Sequence, residues 1–183
     1  PAHTGAIGVP HARLHRSPMK HLLLLRHAKS SWNNPDLDDI DRPLNKRGKR
    51  ASGDLATWFR TEGWAPDEVL CSPARRTKET LERLNLDCAP YFRDDIYEAP
   101  PGRLLAAIQQ AEGERVLMIG HNPGIGALAR YLAEAPPDHP RFDDYPTGAL
   151  TILRFDLDDW EGLQPSSGEV VAFLTPHDLA PTG

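Results

Sequence analysis

The chain has 183 residues, of which 39% are hydrophobic and 26% charged, with a formal net charge of −5 and two cysteines. That length suits one domain with a substantial core, the negative balance argues against a nucleic-acid binder, and two cysteines cannot make a disulfide scaffold. No apolar run approaches the about 18–20 residues of a membrane helix and no signal-type stretch is found, so the expectation is a cytoplasmic protein with neither membrane nor nucleic acid as partner.

Residues 1–18 are rich in Pro, Gly, His and Arg without apolar periodicity, which predicts a flexible N-terminal extension. Met19-Lys20 reads as a translation start, and a single domain is expected over residues 19–176, followed by a flexible tail over 177–183. Leu22-Leu23-Leu24-Leu25 is an apolar run that ends abruptly on Arg26-His27. Such a run reads as the central strand of an α/β sheet, and ligands bind these sheets outside the carboxyl ends of their strands.

An Asp-rich loop then leads to Arg42-Pro43-Leu44-Asn45 and a helical pattern over 46–61, with Asn45 as N-cap, Leu55, Trp58 and Phe59 as the apolar face, and Gly63 as the stop. Val69 to Cys71 predicts a second strand, and Pro73 is expected in the first turn of a second helix that turns Leu81 and Leu84 inward. Tyr91-Phe92 suggests a short strand and 102–111 a helix. Arg115 to Ile119 reads as another buried strand, ending at Gly120-His121-Asn122-Pro123-Gly124, with a helix over 125–133. Late strands are expected over 149–155 and 170–174. The alternation predicts a three-layer α/β/α sandwich around a mostly parallel sheet. In that architecture the strand ends carrying Arg26-His27, Ser72 to Thr77, and His121-Asn122 converge.

A guanidinium beside an imidazole points to phosphate chemistry. Phosphoryl transfer rests on positioning and electrostatic stabilisation. Each arginine about 4 Å from a phosphoryl charge contributes on the order of 4 kcal/mol before desolvation, so two or three hold the anion without a metal. A histidine nucleophile needs one neutral ring nitrogen facing phosphorus while the other donates to an acceptor, a task within reach of a backbone carbonyl. Rival chemistries fit poorly. Cys71 and Cys88 each precede an arginine by four intervening residues, where a cysteine phosphatase loop has five. The Gly-Lys-Ser/Thr ending of a nucleotide loop is missing after Gly120. No zinc spacing occurs, and Asp36, Asp38, Asp39 and Asp41 lack the glycine and terminal glutamate of an EF-hand. No metal or cofactor is therefore expected. Lys46, Arg47, Lys49 and Arg50 read as a solvated helix face or as a basic rim for an acidic protein partner.

These residues resemble the histidine phosphatase superfamily, whose hallmark is Arg-His-Gly at the end of the first strand. Here the motif is Arg26-His27-Ala28, and with Lys29-Ser30-Ser31-Trp32 and Arg42-Pro43-Leu44-Asn45 it looks most similar to the phosphohistidine phosphatase (SixA-type) branch. Ser72-Pro73-x-x-Arg76-x-x-x-Thr80 and Gly120-His121-Asn122-Pro123 match the second and third motifs. The resemblance spans 19–174 and implies a phosphoglycerate mutase-like fold and a covalent route in which His27 becomes phosphohistidine. It implies that Arg26 and Arg76 hold the phosphoryl oxygens, with His121 donating a hydrogen bond and Arg42 and Asn33 as further phosphate contacts. Glu98 falls where larger relatives carry an acid/base carboxylate. The expected substrate is a phosphohistidine-bearing protein. Alternatives are a phosphatase of small phosphomonoesters, such as sugar phosphates or nucleotides, and a non-catalytic phosphate-binding or partner-binding module.

Overall fold

In the computed structural model, residues 19–181 are described; the expected N-terminal extension lies outside them. Six strands form one sheet in the order β3-β2-β4-β1-β5-β6. They are β1 (Met19–Arg26), β2 (Glu68–Cys71), β3 (Pro90–Phe92), β4 (Arg115–Gly120), β5 (Leu150–Asp156) and β6 (Glu169–Leu174). The helices are α1 (Lys46–Glu62), α2 (Arg75–Leu84), α3 (Pro101–Gln109), α4 (Gly124–Leu132) and α5 (Pro176–Leu179). β3, β2, β4 and β1 run parallel, whereas on the other side of β1 the strand β5 runs antiparallel to it and β6 runs antiparallel to β5.

The leucine run explains the layering. Side chains alternate across a strand, so Leu22 and Leu24 enter one core while Leu23 and Leu25 enter the other. The first core receives Leu104 and Ile108 from α3 and Ile125 and Leu128 from α4, and the second receives Leu55 and Phe59 from α1 and Leu81 and Leu84 from α2. The chain leaves β1 toward α1 on one face and leaves β4 toward α4 on the opposite face. These neighbouring parallel strands thus form a topological switch point, where a crevice opens at their carboxyl ends.

Helix ends follow local chemistry. The Asn45 side chain accepts from Gly48 N at 2.8 Å, and Gly63 closes α1 in the left-handed region at φ 72°. α2 begins at Arg75, two residues later than Pro73. The reason is the turn before it: Ala74 N donates to Ser72 Oγ at 3.3 Å, and Thr77 Oγ1 donates to the Ser72 carbonyl at 2.8 Å. The tail expected from 177 also needs correction, because His177 to Leu179 belong to α5. Asp178 holds that turn by accepting from Thr175 N at 2.7 Å and pairing with His139 at 2.9 Å. Among the described residues no helix is long and apolar enough to cross a membrane.

Candidate active site

Strand register brings three motifs to one edge. Arg26 pairs with Gly120 across β1 and β4, and Cys71 pairs with Ile119 across β2 and β4. His27 N donates to the Gly120 carbonyl at 3.1 Å and Ser72 N to the Ile119 carbonyl at 3.0 Å. The residues following each strand therefore meet, and the His27 and His121 rings lie 5.3 Å apart.

His27 is held almost entirely by backbone. Its Nδ1 lies 2.7 Å from the Ala28 carbonyl, which can only accept, so Nδ1 carries the proton and the Nε2 lone pair is free. Gly148 N donates to the His27 carbonyl at 2.9 Å, and Ala28 N donates to Thr80 Oγ1 at 3.1 Å. Burial, reinforced by the positive charges of Arg76 and Arg26, pushes the His27 pKa down to about 3, so the ring is neutral at physiological pH. Arg26 reaches back to donate from Nη1 to the Tyr145 carbonyl at 3.0 Å. That carbonyl also accepts from Asn122 Nδ2 at 2.9 Å, while the buried Tyr145 hydroxyl donates to the Leu24 carbonyl at 2.7 Å.

Arg76 is 2% exposed and extends from α2 into the same space. Its Nη2 lies 3.2 Å from His121 Nδ1. A guanidinium only donates, so Nδ1 accepts, and His121 Nε2 carries the proton that it gives to Ser72 Oγ at 2.8 Å. Burial and the Arg76 charge push His121 down to about 3 as well. Both of its ring nitrogens are thus engaged within the protein, and donation to a phosphoryl group requires one of them to be released.

The organiser of the remaining side chains is Asp39, in a short 3-10 turn at Asp39–Asp41. Its Oδ2 accepts from Arg76 Nη2 at 3.0 Å and from the Tyr97 hydroxyl at 2.5 Å, its Oδ1 accepts from Arg42 Nε at 3.1 Å, and its carbonyl accepts from Arg76 Nη1 at 2.7 Å. Burial acts to raise the Asp39 pKa, but Tyr97 and the two guanidiniums outweigh it and hold the carboxyl well below its ordinary range. Arg42 is further fixed by a 2.7 Å bond to Ser30 Oγ and by stacking 3.5 Å above the Trp32 ring. Glu98 stands at the mouth, 3.5 Å from Arg76 Nη2, with 57% of its side chain exposed and its backbone in the left-handed region at φ 50°. The structure thus gathers Arg26, His27, Arg42, Arg76, Glu98 and His121.

Asn33 stays outside this cluster. Ser31 N bonds to the Pro43 carbonyl, and Asn33 N to Ser31 Oγ, turning the chain outward after His27. Asn33 instead lines a shallow depression with Pro43, Lys46 and Arg47. Asp39, Tyr97 and Ser72 have no role in the sequence reading. The Asp39-x-x-Arg42 spacing is the signal for the first, masked by neighbouring aspartates that read as a solvated loop. Among the described residues no three His, Cys, Asp or Glu side chains gather as a metal ion would need. Burial pushes the Cys71 thiol up to about 12, far from an active thiolate.

The family model described as histidine phosphatase superfamily (branch 1) matches residues 22–105. The chain is 34% identical over 162 residues to an uncharacterized protein of Mycobacterium tuberculosis, covering 84% of this chain and 100% of that one. It is 30% identical over 127 residues to the phosphohistidine phosphatase SixA of Escherichia coli, covering 63% of this chain and 77% of that protein. A solved candidate phosphohistidine phosphatase SixA from Nakamurella multipartitia superposes with a TM-score of 0.76 at 28% identity, over 86% of this chain and 96% of the other. The chain belongs to the histidine phosphatase superfamily, on its SixA-type branch. It is a metal-independent phosphatase acting on a phosphorylated substrate.

Proposed function

We propose that this enzyme removes phosphoryl groups from phosphohistidine on proteins, through a covalent intermediate on His27. The observation that carries this reading is the 2.7 Å contact between His27 Nδ1 and the Ala28 carbonyl, which fixes the tautomer with a nucleophilic Nε2. Nε2 attacks phosphorus in line, its bond to phosphorus forming as the bond to the substrate imidazole breaks. Water then attacks the phosphohistidine, releasing inorganic phosphate and restoring neutral His27. Arg26 and Arg76 stabilise the equatorial oxygens. Their buried Nε–H groups donate to nothing among the described residues, which supports an anion as the missing partner.

The choice of phosphohistidine over small phosphate esters rests on Glu98 and on the relatives. An alkoxide leaving group needs a well-placed acid, whereas an imidazole leaves readily once protonated by solvent. Glu98 is mostly exposed at the mouth, a loose position for an obligatory acid. The test is brief mixing with a radiolabelled phosphohistidine carrier protein, followed by quenching. An acid-labile, base-stable phosphoenzyme is expected from the wild type and none from His27→Ala; the same adduct on the variant overturns the assignment. Glu98→Gln should spare the phosphohistidine protein, and equal loss on protein and alkyl phosphate favours the small-ester reading.

A further inference from the structure

Beside the phosphoryl site opens a cleft of about 460 Å³, lined by Arg26, Lys29, Arg47, Arg141, Thr147 and His177 among others. Asp144, the one carboxylate lining it among the described residues, is already paired with Arg141 at 2.9 Å. Arg26 belongs both to this cleft and to the cluster around His27. Thr147 precedes Gly148, whose N–H holds the His27 carbonyl. Arg47 also lines the adjoining depression with Lys46, Lys49 and Asn33.

The start of α1 is clamped against this wall. Asn45 N donates to the Lys29 carbonyl at 3.0 Å, and a Cβ at Gly48 would lie 2.1 Å from that same oxygen. Only glycine allows the helix to lie so near, two residues beyond His27. The close approach sets the first turns of α1 beside Lys29, and four of its first five positions are exposed cations: Lys46, Arg47, Lys49 and Arg50. Among the described residues none of these side chains, nor Lys29, has an ion-pair partner.

This arrangement opposes what the helix itself favours. The positive end of a helix dipole is stabilised by acidic residues, and the first turn of α1 has none. Four unpaired cations there, in a chain whose net charge is −5, are locally unfavourable on two counts, the dipole and mutual repulsion. Conflicts between local preference and actual sequence concentrate at functional surfaces.

We infer that Lys29, Lys46, Arg47, Lys49 and Arg50 form a docking band for an acidic face of the phosphorylated protein, beside the point where its phosphoryl group meets Arg26 and His27. The inference rests on the protein-phosphohistidine reading and names the kind of protein surface that the site accepts. The band acts through long-range attraction and orientation, so it raises productive encounter and weakens with salt.

The test compares two phosphohistidine peptides that differ only in flanking Glu or Gln residues, with free phosphohistidine as the small control. At low salt the wild type should hydrolyse the Glu-flanked peptide with a kcat/KM about tenfold higher, the difference shrinking as salt rises. The double variant Arg47→Glu with Lys49→Glu should abolish that preference and leave turnover of free phosphohistidine unchanged. It should also melt at or above the wild-type temperature, because acids suit that end of the helix; a merely structural role predicts a lower melting temperature. Absence of a preference in the wild type, or its persistence in the double variant, overturns the inference.

If neither peptide is hydrolysed while a small phosphate ester is, the phosphohistidine reading fails on its own. The docking band is then decided by fluorescence anisotropy with a labelled Glu-flanked peptide and the His27→Ala protein. Salt-sensitive binding lost in the added Arg47→Glu, Lys49→Glu background supports it, and no binding overturns it.

Discussion

The two halves of the site are built by different means. On the strand side, Arg26 and His27 are placed by main-chain partners: the carbonyls of Ala28, Gly120 and Tyr145 and the amide of Gly148. On the loop side, Arg42, Arg76 and Tyr97 are placed by one carboxylate, Asp39, that bonds to all three. His27, the proposed nucleophile, thus has a geometry inherited from sheet register, whereas the proposed anion-binding side is held by charge. A phosphoryl group arriving at Arg76 meets an arginine already occupied by an anion of the protein's own. The strand half is ready for chemistry, and the loop half has partners to exchange first.

Arg76→Ala sharpens this contrast most. Losing one such donor should lower kcat/KM on a phosphohistidine protein by about 10²–10³-fold. The strand half should remain intact: nitrogen NMR of His27 should still report a proton on Nδ1, and a change of tautomer in the variant would break the division. Arg76→Lys should recover only part of the rate, because a point charge cannot serve Asp39, His121 and phosphate together.

Acid stability comes next in size. His27 and His121 are held near pKa 3 in the folded protein, against 6.5 when unfolded. Between these values the unfolded chain binds more protons, so stability is full above about pH 6.5 and declines as the pH falls toward 3. At pH 5 the loss is roughly 2 kcal/mol for each ring. Urea titrations at pH 7 and pH 5 check this, and equal midpoints with equal slopes would mean that the rings are not buried neutral.

The smallest effect belongs to Asp39→Asn. Removing the resident negative charge while keeping its shape should make inorganic phosphate inhibit several-fold more tightly, because phosphate then no longer competes with Asp39 for the buried Arg76 guanidinium. Weaker inhibition would mean that the orientation Asp39 gives Arg76 outweighs its competition with phosphate, and the loop half would then be preorganised like the strand half.

Which parts were legible in the sequence follows the same division. Arg26-His27 and His121 are announced by apolar runs that stop at polar residues, and a strand fixes where its last residue goes. The reversed direction of β5 was not legible, because an apolar strand looks alike whether it runs parallel or antiparallel. Asp39 was hidden because its partners lie 37 and 58 residues away, at Arg76 and Tyr97, and only the folded chain brings them together. Asn33 stands apart for a related reason: the resemblance places it after the first motif, but Ser31 and Pro43 turn the chain away from His27 there.

The carbonyl of Tyr145 serves Arg26 of the first motif and Asn122 of the third. Since a main-chain oxygen is the same whatever residue is encoded, mutation at position 145 cannot alter the chemical identity of this link. It can only move it, by loosening the buried ring that anchors the loop to Leu24. The spacing between the first and third motifs is therefore inherited through the loop's path, and variation there would retune both motifs at once.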